Sequence, residues 1–382
     1  MFGKSKPKLI TDETKIKQSL ARRLQPSGVF PNLDEAVKLL KSKSLRVYLG
    51  IDPTGPDIHL GHTIPLLFLK QLWKLGHTPV ILIGDFTARI GDPTDKDATR
   101  KPLSPEQIRE NSKNYIDQIY KILPKGSFEV HRNSDWLDKL SFKDVIQLAS
   151  HVTVQQLIQR DMFQERLANE KPIGLHEFLY PLMQGYDSVA MNIDGEVGGN
   201  DQTFNMLVGR ELEKKLINKD KLVFATRLLV NSGTGKKMSK SEGELIALSD
   251  SPQEIRRKIL AGDDSMIKTM FEICTEKSQV WIEENQNKLP REWKEELADE
   301  LVRMYHGEKA VEESRKAKEA GGGGQLITHF ISGSLSTSNS EAKNLLDQGA
   351  VEINGNVVKD WKYELKQGDK IRIGKGEFFE IK

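Results

Sequence analysis

Short apolar runs alternate with helical stretches through the first 230 residues or so, and this alternation constrains the fold more than any other feature. Residues 45–51 (LRVYLGI) and 78–83 (TPVILI) are rich in strand formers and too short for buried helices. Between them, 62–75 has a helical pattern, with Leu66, Leu67, Leu69, Leu72 and Trp73 as its apolar face and Gly76 as its stop. A helix at 105–122 leads to a third strand at 128–131. Helices are also predicted at 12–24, 33–43 and 203–217, with a largely helical stretch at 140–190 and a further strand at 191–193. Strands separated by helices imply an α/β fold with a parallel, doubly wound sheet. Ligands of such a sheet lie beyond the carboxyl ends of its strands.

The pattern changes further along. Residues 252–319 are charged and helical throughout, and 321–324 are four consecutive glycines, a linker composition. In the last segment, helices at 325–333 and 338–348 precede strands at 350–353, 356–358, 370–373 and 377–381. Asn354-Gly355 and Gly374-Lys375-Gly376 are the turns of this small α+β domain. The expected domains are 1–232 with an N-terminal helical arm, a helical domain at 233–320, the linker, and 325–382.

Composition excludes several classes. No apolar run approaches the ~18–20 residues of a membrane span, and no apolar stretch follows the basic start MFGKSKPKLI, so it does not read as a secretory signal. A lone Cys274 rules out internal disulfides and multi-cysteine zinc sites, and reads as a small buried apolar residue. These features fit a cytoplasmic protein. With 57 basic and 55 acidic residues, the net charge of +2 argues neither for nor against nucleic acid. The basic residues Lys4, Lys6, Lys8, Lys15, Lys17, Arg22 and Arg23 read as a solvated tail, with RNA contact as the alternative.

Two short strings carry the chemistry. His59-Leu60-Gly61-His62 falls where a helix begins, just after Asp52-Pro53-Thr54. A helix start offers free N–H groups and the positive end of the dipole, a natural anion site. His59 and His62 are three residues apart and share a face. Gly61 leaves room for an adenine or ribose to approach the backbone. Two such histidines also suit zinc or a simple helix cap, but no acidic or cysteine partner is spaced for a metal, and no zinc is expected. The second string, Lys237-Met238-Ser239-Lys240-Ser241, lies in the Gly-rich stretch SGTGKKMSKSEG. A charge run is ordinarily a solvated face. Here the small-residue composition and the Lys-x-x-Lys spacing favour a loop whose lysines act as point charges on phosphates, and Ser239 and Ser241 add donors. It is not a P-loop.

Together these strings resemble the two signature motifs of the class I aminoacyl-tRNA synthetases. The second has the usual form; the first differs from His-Ile-Gly-His by one apolar swap. Further stretches resemble the tyrosyl-tRNA synthetases of the bacterial type. Tyr48-Leu49-Gly50-Ile51-Asp52-Pro53-Thr54 is similar to the stretch that opens that family's active site, and Ile90-Gly91-Asp92-Pro93-Thr94 to its next loop. Tyr180-Pro181-Leu182-Met183-Gln184-Gly185-Tyr186-Asp187 is similar to its tyrosine-binding helix, and Gly198-Gly199-Asn200-Asp201-Gln202 to its ribose loop. Residues 336–346 and 349–355 resemble an RNA-binding domain shared with a small-subunit ribosomal protein. The resemblance covers nearly the whole chain.

The resemblance implies a Rossmann-like catalytic domain, an anticodon-binding helical domain and a C-terminal RNA-binding domain. The implied partners are L-tyrosine, ATP with Mg²⁺ and tRNA(Tyr), in a cytoplasmic homodimer with no membrane association. The tyrosine carboxylate would attack the α-phosphorus of ATP, release pyrophosphate, and the tyrosyl group would pass to the 3′ end of the tRNA. The phenol would lie between Tyr48 and Asp187. Asp92, Tyr180 and Gln184 would take the amino group, and Gln202 would orient the carboxylate. Asp201 would accept from the ribose, with Gly50, Asp52, Gly61, Gly199 and Ser241 also around the nucleotide. Thr54 and His59 would meet the outer phosphate and His62 the ribose side. Lys96, Arg100, Lys237 and Lys240 would close over the pyrophosphate.

Physical chemistry agrees with these roles. Tyr180, Gln184 and Asp187 fall at i, i+4 and i+7, one helix face, and Gln and Asp make poor core residues. An amino-acid carboxylate is ionised near pH 7, so no general base is needed. Catalysis reduces to positioning and charge stabilisation. One departure is Thr203, where much of the family has Trp. Residues 325–382 hold eight basic and eight acidic residues, so RNA contact there needs one basic face. Two other readings are a tryptophan-specific enzyme, which Tyr48, Asp187 and the C-terminal domain oppose, and a non-catalytic RNA-binding paralogue, which the intact motifs oppose.

Overall fold

The computed structural model describes residues 7–93, 103–230, 245–319, 326–335, 337–374 and 377–381. The chain divides into two compact units, Met1–Gly307 and Glu308–Lys382. In the first, β1 (Leu24–Phe30), β2 (Arg46–Ile51), β3 (Thr78–Ile83), β4 (Glu129–Arg132), β5 (Gly195–Gly199) and β6 (Leu222–Thr226) form one sheet in the order β1-β6-β5-β2-β3-β4. The strands from β6 to β4 pair in parallel. β3 and β6 are buried along almost their whole length, as expected of strands covered on both faces.

Several expectations are corrected. Residues 191–193 are not a strand. The helix Tyr180–Met191 runs on to Met191, and Asn192 ends it at φ 48°, ψ 57°. The strand is the Gly-rich β5. Residues 105–122 form two helices, Pro105–Ser112 and Tyr115–Ile119. The sheet also has an unexpected antiparallel strand, β1, paired with β6. It carries Pro26 and Gly28, which suit an edge strand.

Arg22 and Arg23 are not part of a solvated tail. The helix Ile267–Cys274 packs on the helix Leu60–Lys74, and its last carbonyls need donors. Arg22 supplies them to Glu272 O (2.6 Å), Thr275 O (2.9 Å) and Phe271 O (3.1 Å), and Arg23 to Ile273 O (2.9 Å) and Thr275 O. Cys274 is buried at this junction, which pushes its thiol up to about 12. The same region is clamped by Glu276, which accepts from Lys74 Nζ at 2.5 Å and from Lys70.

In the second unit, helices Ile327–Leu335 and Asn339–Asp347 cover a sheet of β7 (Val351–Ile353), β8 (Asn356–Val357), β9 (Lys370–Ile373) and β10 (Glu377–Glu380), in the order β10-β9-β7-β8. Ile327, Ile331, Leu346, Val351, Ile353 and Ile371 are among its core. Ser338 and Glu341 form a reciprocal N-terminal cap. Asn354 and Gly355 turn the β7–β8 hairpin with positive φ, 51° and 82°, the conformation that favours this residue pair. The glycines at 321–324 and Lys375-Gly376 lie outside the described residues.

Burial works to raise Glu276, but Lys70 and Lys74 outweigh it and hold the carboxyl at about 2, below its ordinary 4.5. A depressed carboxyl contributes stability above its unfolded value and loses it as pH falls toward the folded one. Glu276→Gln should therefore flatten the loss of stability between about pH 4.5 and 2, measured as urea midpoints across that range. Parallel curves for the variant and the wild type would show that the clamp contributes nothing.

Candidate active site

The order of the sheet locates the site. From β2 the chain winds outward through β3 and β4 on one side; β5 and β6 lie on the other. The crevice at such a switch point is where doubly wound sheets take ligands. Tyr48 and Gly50 lie on β2 and Asp52 just past its carboxyl end; Gly199 ends β5, and Asp201 and Gln202 follow it.

His59 is the N-cap of the helix Leu60–Lys74. Gly61 N donates to His59 Nδ1 at 3.2 Å, and His59 N donates to His62 Nδ1 at 3.3 Å. An accepting Nδ1 puts the ring proton on Nε2. Both rings thus present their donor edge near a helix start, with ring centroids 3.8 Å apart. Gly61 serves this arrangement directly, since a Cβ there would stand 3.1 Å from the His59 ring. Thr54 is partly exposed, its N–H donating to Asp52 O at 2.8 Å.

The chain returns to this string after residue 244. Leu60 N donates to Ile246 O and Leu248 N to Ile58 O, each at 2.8 Å. His59 and Ala247 thereby form an antiparallel bridge. The backbone just beyond the lysine string is thus bonded to the histidine string. Lys237, Lys240 and Ser241 themselves, and likewise Lys96 and Arg100, lie outside the described residues.

The helix Tyr180–Met191 supplies the other wall. Asp187 is buried and accepts from Trp136 Nε1 at 2.7 Å and Asn133 Nδ2 at 3.3 Å. Burial pushes its carboxyl well above the usual range, while those two donors pull it down. Tyr48 is buried, and burial, then the charges of Glu196 and Asp187, push its hydroxyl up. It therefore keeps its proton near neutrality. Its Oη lies 3.2 Å from Ser188 Oγ. Tyr180 Oη donates to Asp52 Oδ2 at 2.9 Å, and Thr87 Oγ1 to Asp52 Oδ1 at 2.7 Å. Gln202 Nε2 donates to Asp92 Oδ2 at 2.5 Å, and its Oε1 accepts from Asn205 at 3.0 Å. Gln184 Nε2 donates to Glu196 Oε1 at 3.0 Å.

Thus Tyr48, Asp52, Asp92, Tyr180, Gln184, Asp187 and Gln202 are polar groups held by specific partners. Sequence reasoning missed Thr87, Asn133, Trp136, Ser188, Glu196 and Lys221. Of these, Lys221 did carry a signal, a charge beside the apolar run LVFAT. Thr203 opens the helix Thr203–Ile217, its hydroxyl donating to Asn200 O at 2.7 Å. The next residue, Phe204, takes the Arg160 guanidinium over its ring at 4.8 Å. Among the described residues no three His, Cys, Asp or Glu side chains gather as a metal cluster.

Comparison with known proteins places the chain in a family. The model for "tRNA synthetases class I (W and Y)" matches residues 40–320, and that for the S4 domain matches 335–371. The chain belongs to the class I tRNA synthetases. Within them it falls among the tyrosyl-tRNA synthetases of the bacterial type. It is 40% identical to the tyrosine–tRNA ligase of Carboxydothermus hydrogenoformans over 97% of this chain and 98% of that one. It is 39% identical to that of Haemophilus influenzae, over 93% and 94%. The fold resembles solved tyrosyl-tRNA synthetases. One from Archaeoglobus fulgidus has a TM-score of 0.62 at 22% identity, covering 80% of this chain and 99% of that one. A truncated mitochondrial one from Coccidioides posadasii has 0.63 at 24%, covering 80% and 90%. In this synthetase, as in its class, the nucleotide substrate is ATP.

Proposed function

We propose that in this tyrosine–tRNA ligase the amino-acid pocket lies between Tyr48 and Asp187, with ATP at the histidine string. One observation carries this reading: a buried carboxyl, Asp187, is fixed by Trp136 and Asn133 near the buried Tyr48 hydroxyl. Tyr48 donates and Asp187 accepts at the substrate phenol. A phenylalanine side chain leaves both unpaired in a buried site, which costs about 1–3 kcal/mol for each group.

Gln184, Tyr180 and Asp92 receive the substrate amino group, and Gln202 steers its carboxylate toward the α-phosphorus. Asp201 takes the ribose, with Gly50, Asp52, Gly61 and Gly199 around the nucleotide. The donor edges of His59 and His62, with Thr54 and the helix dipole, stabilise charge growing on the phosphates. Lys96, Arg100, Lys237, Lys240 and Ser241 act on the departing pyrophosphate. The bridge between 58–60 and 246–248 supports this, because it returns the chain beyond the lysine string to the histidines. Mg²⁺ enters with ATP as part of the substrate.

In the second step the tyrosyl group passes to the terminal adenosine of tRNA(Tyr). Residues 233–320 serve the anticodon arm and 325–382 a further RNA contact. No described helix is long and apolar enough to cross a membrane, and the proposed location is the cytoplasm. The proposed assembly is a homodimer. Its support is a concentration of exposed apolar side chains between 142 and 175, with Phe142 80% and Leu175 77% exposed and Ile146, Val154 and Leu167 also open.

Exchange of pyrophosphate into ATP should depend on tyrosine and not on tryptophan or phenylalanine; exchange driven by tryptophan alone would overturn the substrate assignment. Asp187→Ala should lower kcat/KM for tyrosine by about 10²-fold, the worth of a strong buried hydrogen bond, and narrow the gap to phenylalanine. Lys240→Ala should slow adenylate formation by about 10²-fold with little change in tyrosine affinity. An effect mainly on tyrosine affinity would remove that lysine from the phosphates. Phe142→Glu should convert a dimer to a monomer by light scattering, and an unchanged mass would move the interface elsewhere.

A further inference from the structure

Lys221 immediately precedes β6 and is 0% exposed; Glu196 on β5 is 2% exposed. The Lys221 ammonium donates to Glu196 Oε2 and to Ser188 Oγ. Removing two charges from water is costly, and replacing a buried pair with apolar residues is often neutral or stabilising. Stability alone is therefore a poor reason for this pair. The structure also makes room for it. A Cβ at Gly209 would stand 2.6 Å from Lys221 Nζ and 3.1 Å from Ser188 Oγ.

Both ends of the pair reach the candidate tyrosine pocket. Glu196 Oε1 accepts from Gln184 Nε2 at 3.0 Å. A carboxylate offers only acceptors, so the NH₂ edge of Gln184 is drawn to Glu196 and its amide oxygen is turned away. That orientation makes Gln184 an acceptor for an ammonium group. At the other end, Ser188 Oγ accepts from Lys221 and lies 3.2 Å from Tyr48 Oη. The Lys221 ammonium also lies 5.5 Å from the centre of the Tyr48 ring. Glu213 is a second buried carboxyl in this neighbourhood, pushed up to about 7 by burial.

We infer that Lys221 and Glu196 are positioning residues for the amino-acid substrate, fixing the Gln184 amide and the Tyr48 hydroxyl through Ser188. This rests on the assignment of Gln184 and Tyr48 to the tyrosine pocket. Being buried, the two act through those side chains, not by contact. Their influence falls on amino-acid binding and leaves the ATP side alone.

The test uses the full chain and tyrosine-dependent pyrophosphate exchange. Glu196→Asp keeps a charge for Lys221 but withdraws the carboxylate from Gln184 by one methylene. Glu196→Gln with Lys221→Met removes both charges and roughly keeps the volume. Gln184→Ala is the reference. The expected result is a rise of about tenfold in KM for tyrosine in each, with kcat and KM for ATP changing less than about twofold. Adding Gln184→Ala to Glu196→Asp should cause little further rise, the non-additivity of residues acting through one contact. Should the doubly substituted protein fail to fold by circular dichroism, Glu196→Asp decides. An unchanged tyrosine KM in Glu196→Asp, or a parallel rise for ATP, overturns the inference. If Gln184→Ala raises tyrosine KM while Glu196→Asp does not, only the positioning role fails. If Gln184→Ala has no effect, the pocket assignment fails with it.

Discussion

The pairing of β2 with β5 is the constraint on which the site depends. It is short, with Val47 opposite Gly195 and Tyr48 opposite Glu196. Register partners in a parallel sheet share a face, so this ladder puts Tyr48 and Glu196 on the side covered by the helix Tyr180–Met191. Alternation along β2 places Gly50 on the same side. A slip of one residue would turn Tyr48 to the opposite face and separate it from Ser188. The polar contacts of the pocket are therefore consequences of backbone register before they are properties of individual side chains.

Two styles of polar organisation meet at this junction. On the proposed amino-acid side, polar groups are paired with one another around the buried Asn133, Asp187 and Glu196: Asp187 with Trp136 and Asn133, Gln184 with Glu196, Asp92 with Gln202. Such groups gain specificity because an unmatched partner is costly in a low-dielectric setting. On the histidine side, the groups are partly exposed and rest on a helix start. A helix N-terminus favours anions broadly. The first arrangement suits discrimination between similar side chains, and the second suits phosphates whose charge changes during reaction.

Much of this was legible from the sequence, for identifiable reasons. β2 and β3 are nearly continuous runs of strand formers bounded by turn residues. The His59 string sits at a helix start that Gly61 and the following apolar face announce. Asn354-Gly355 specifies its hairpin through φ alone. What escaped notice depended on tertiary context. β5 is the sequence GEVGG, poor in strand formers, and β1 holds a proline and a glycine, so neither looks like a strand in isolation. Glu196 and Lys221 lie 25 residues apart and become partners only when the sheet brings them together. Arg22 and Arg23 read as a basic tail because their acceptors are helix-terminal carbonyls some 250 residues away.

The bridge between residues 58–60 and 246–248 differs in kind from the side-chain contacts around it. Its two hydrogen bonds run from main chain to main chain, so they are blind to side-chain identity. Ile246 and Leu248 are buried, so apolar substitutions across 246–248 leave the link in place as long as none introduces proline at Leu248, whose N–H is a donor. Sequences can drift here without losing the tie between the two halves of the site. Aligned relatives are therefore expected to share this geometry at positions where their residues differ, and conservation at 246–248 would understate how much the active site relies on them.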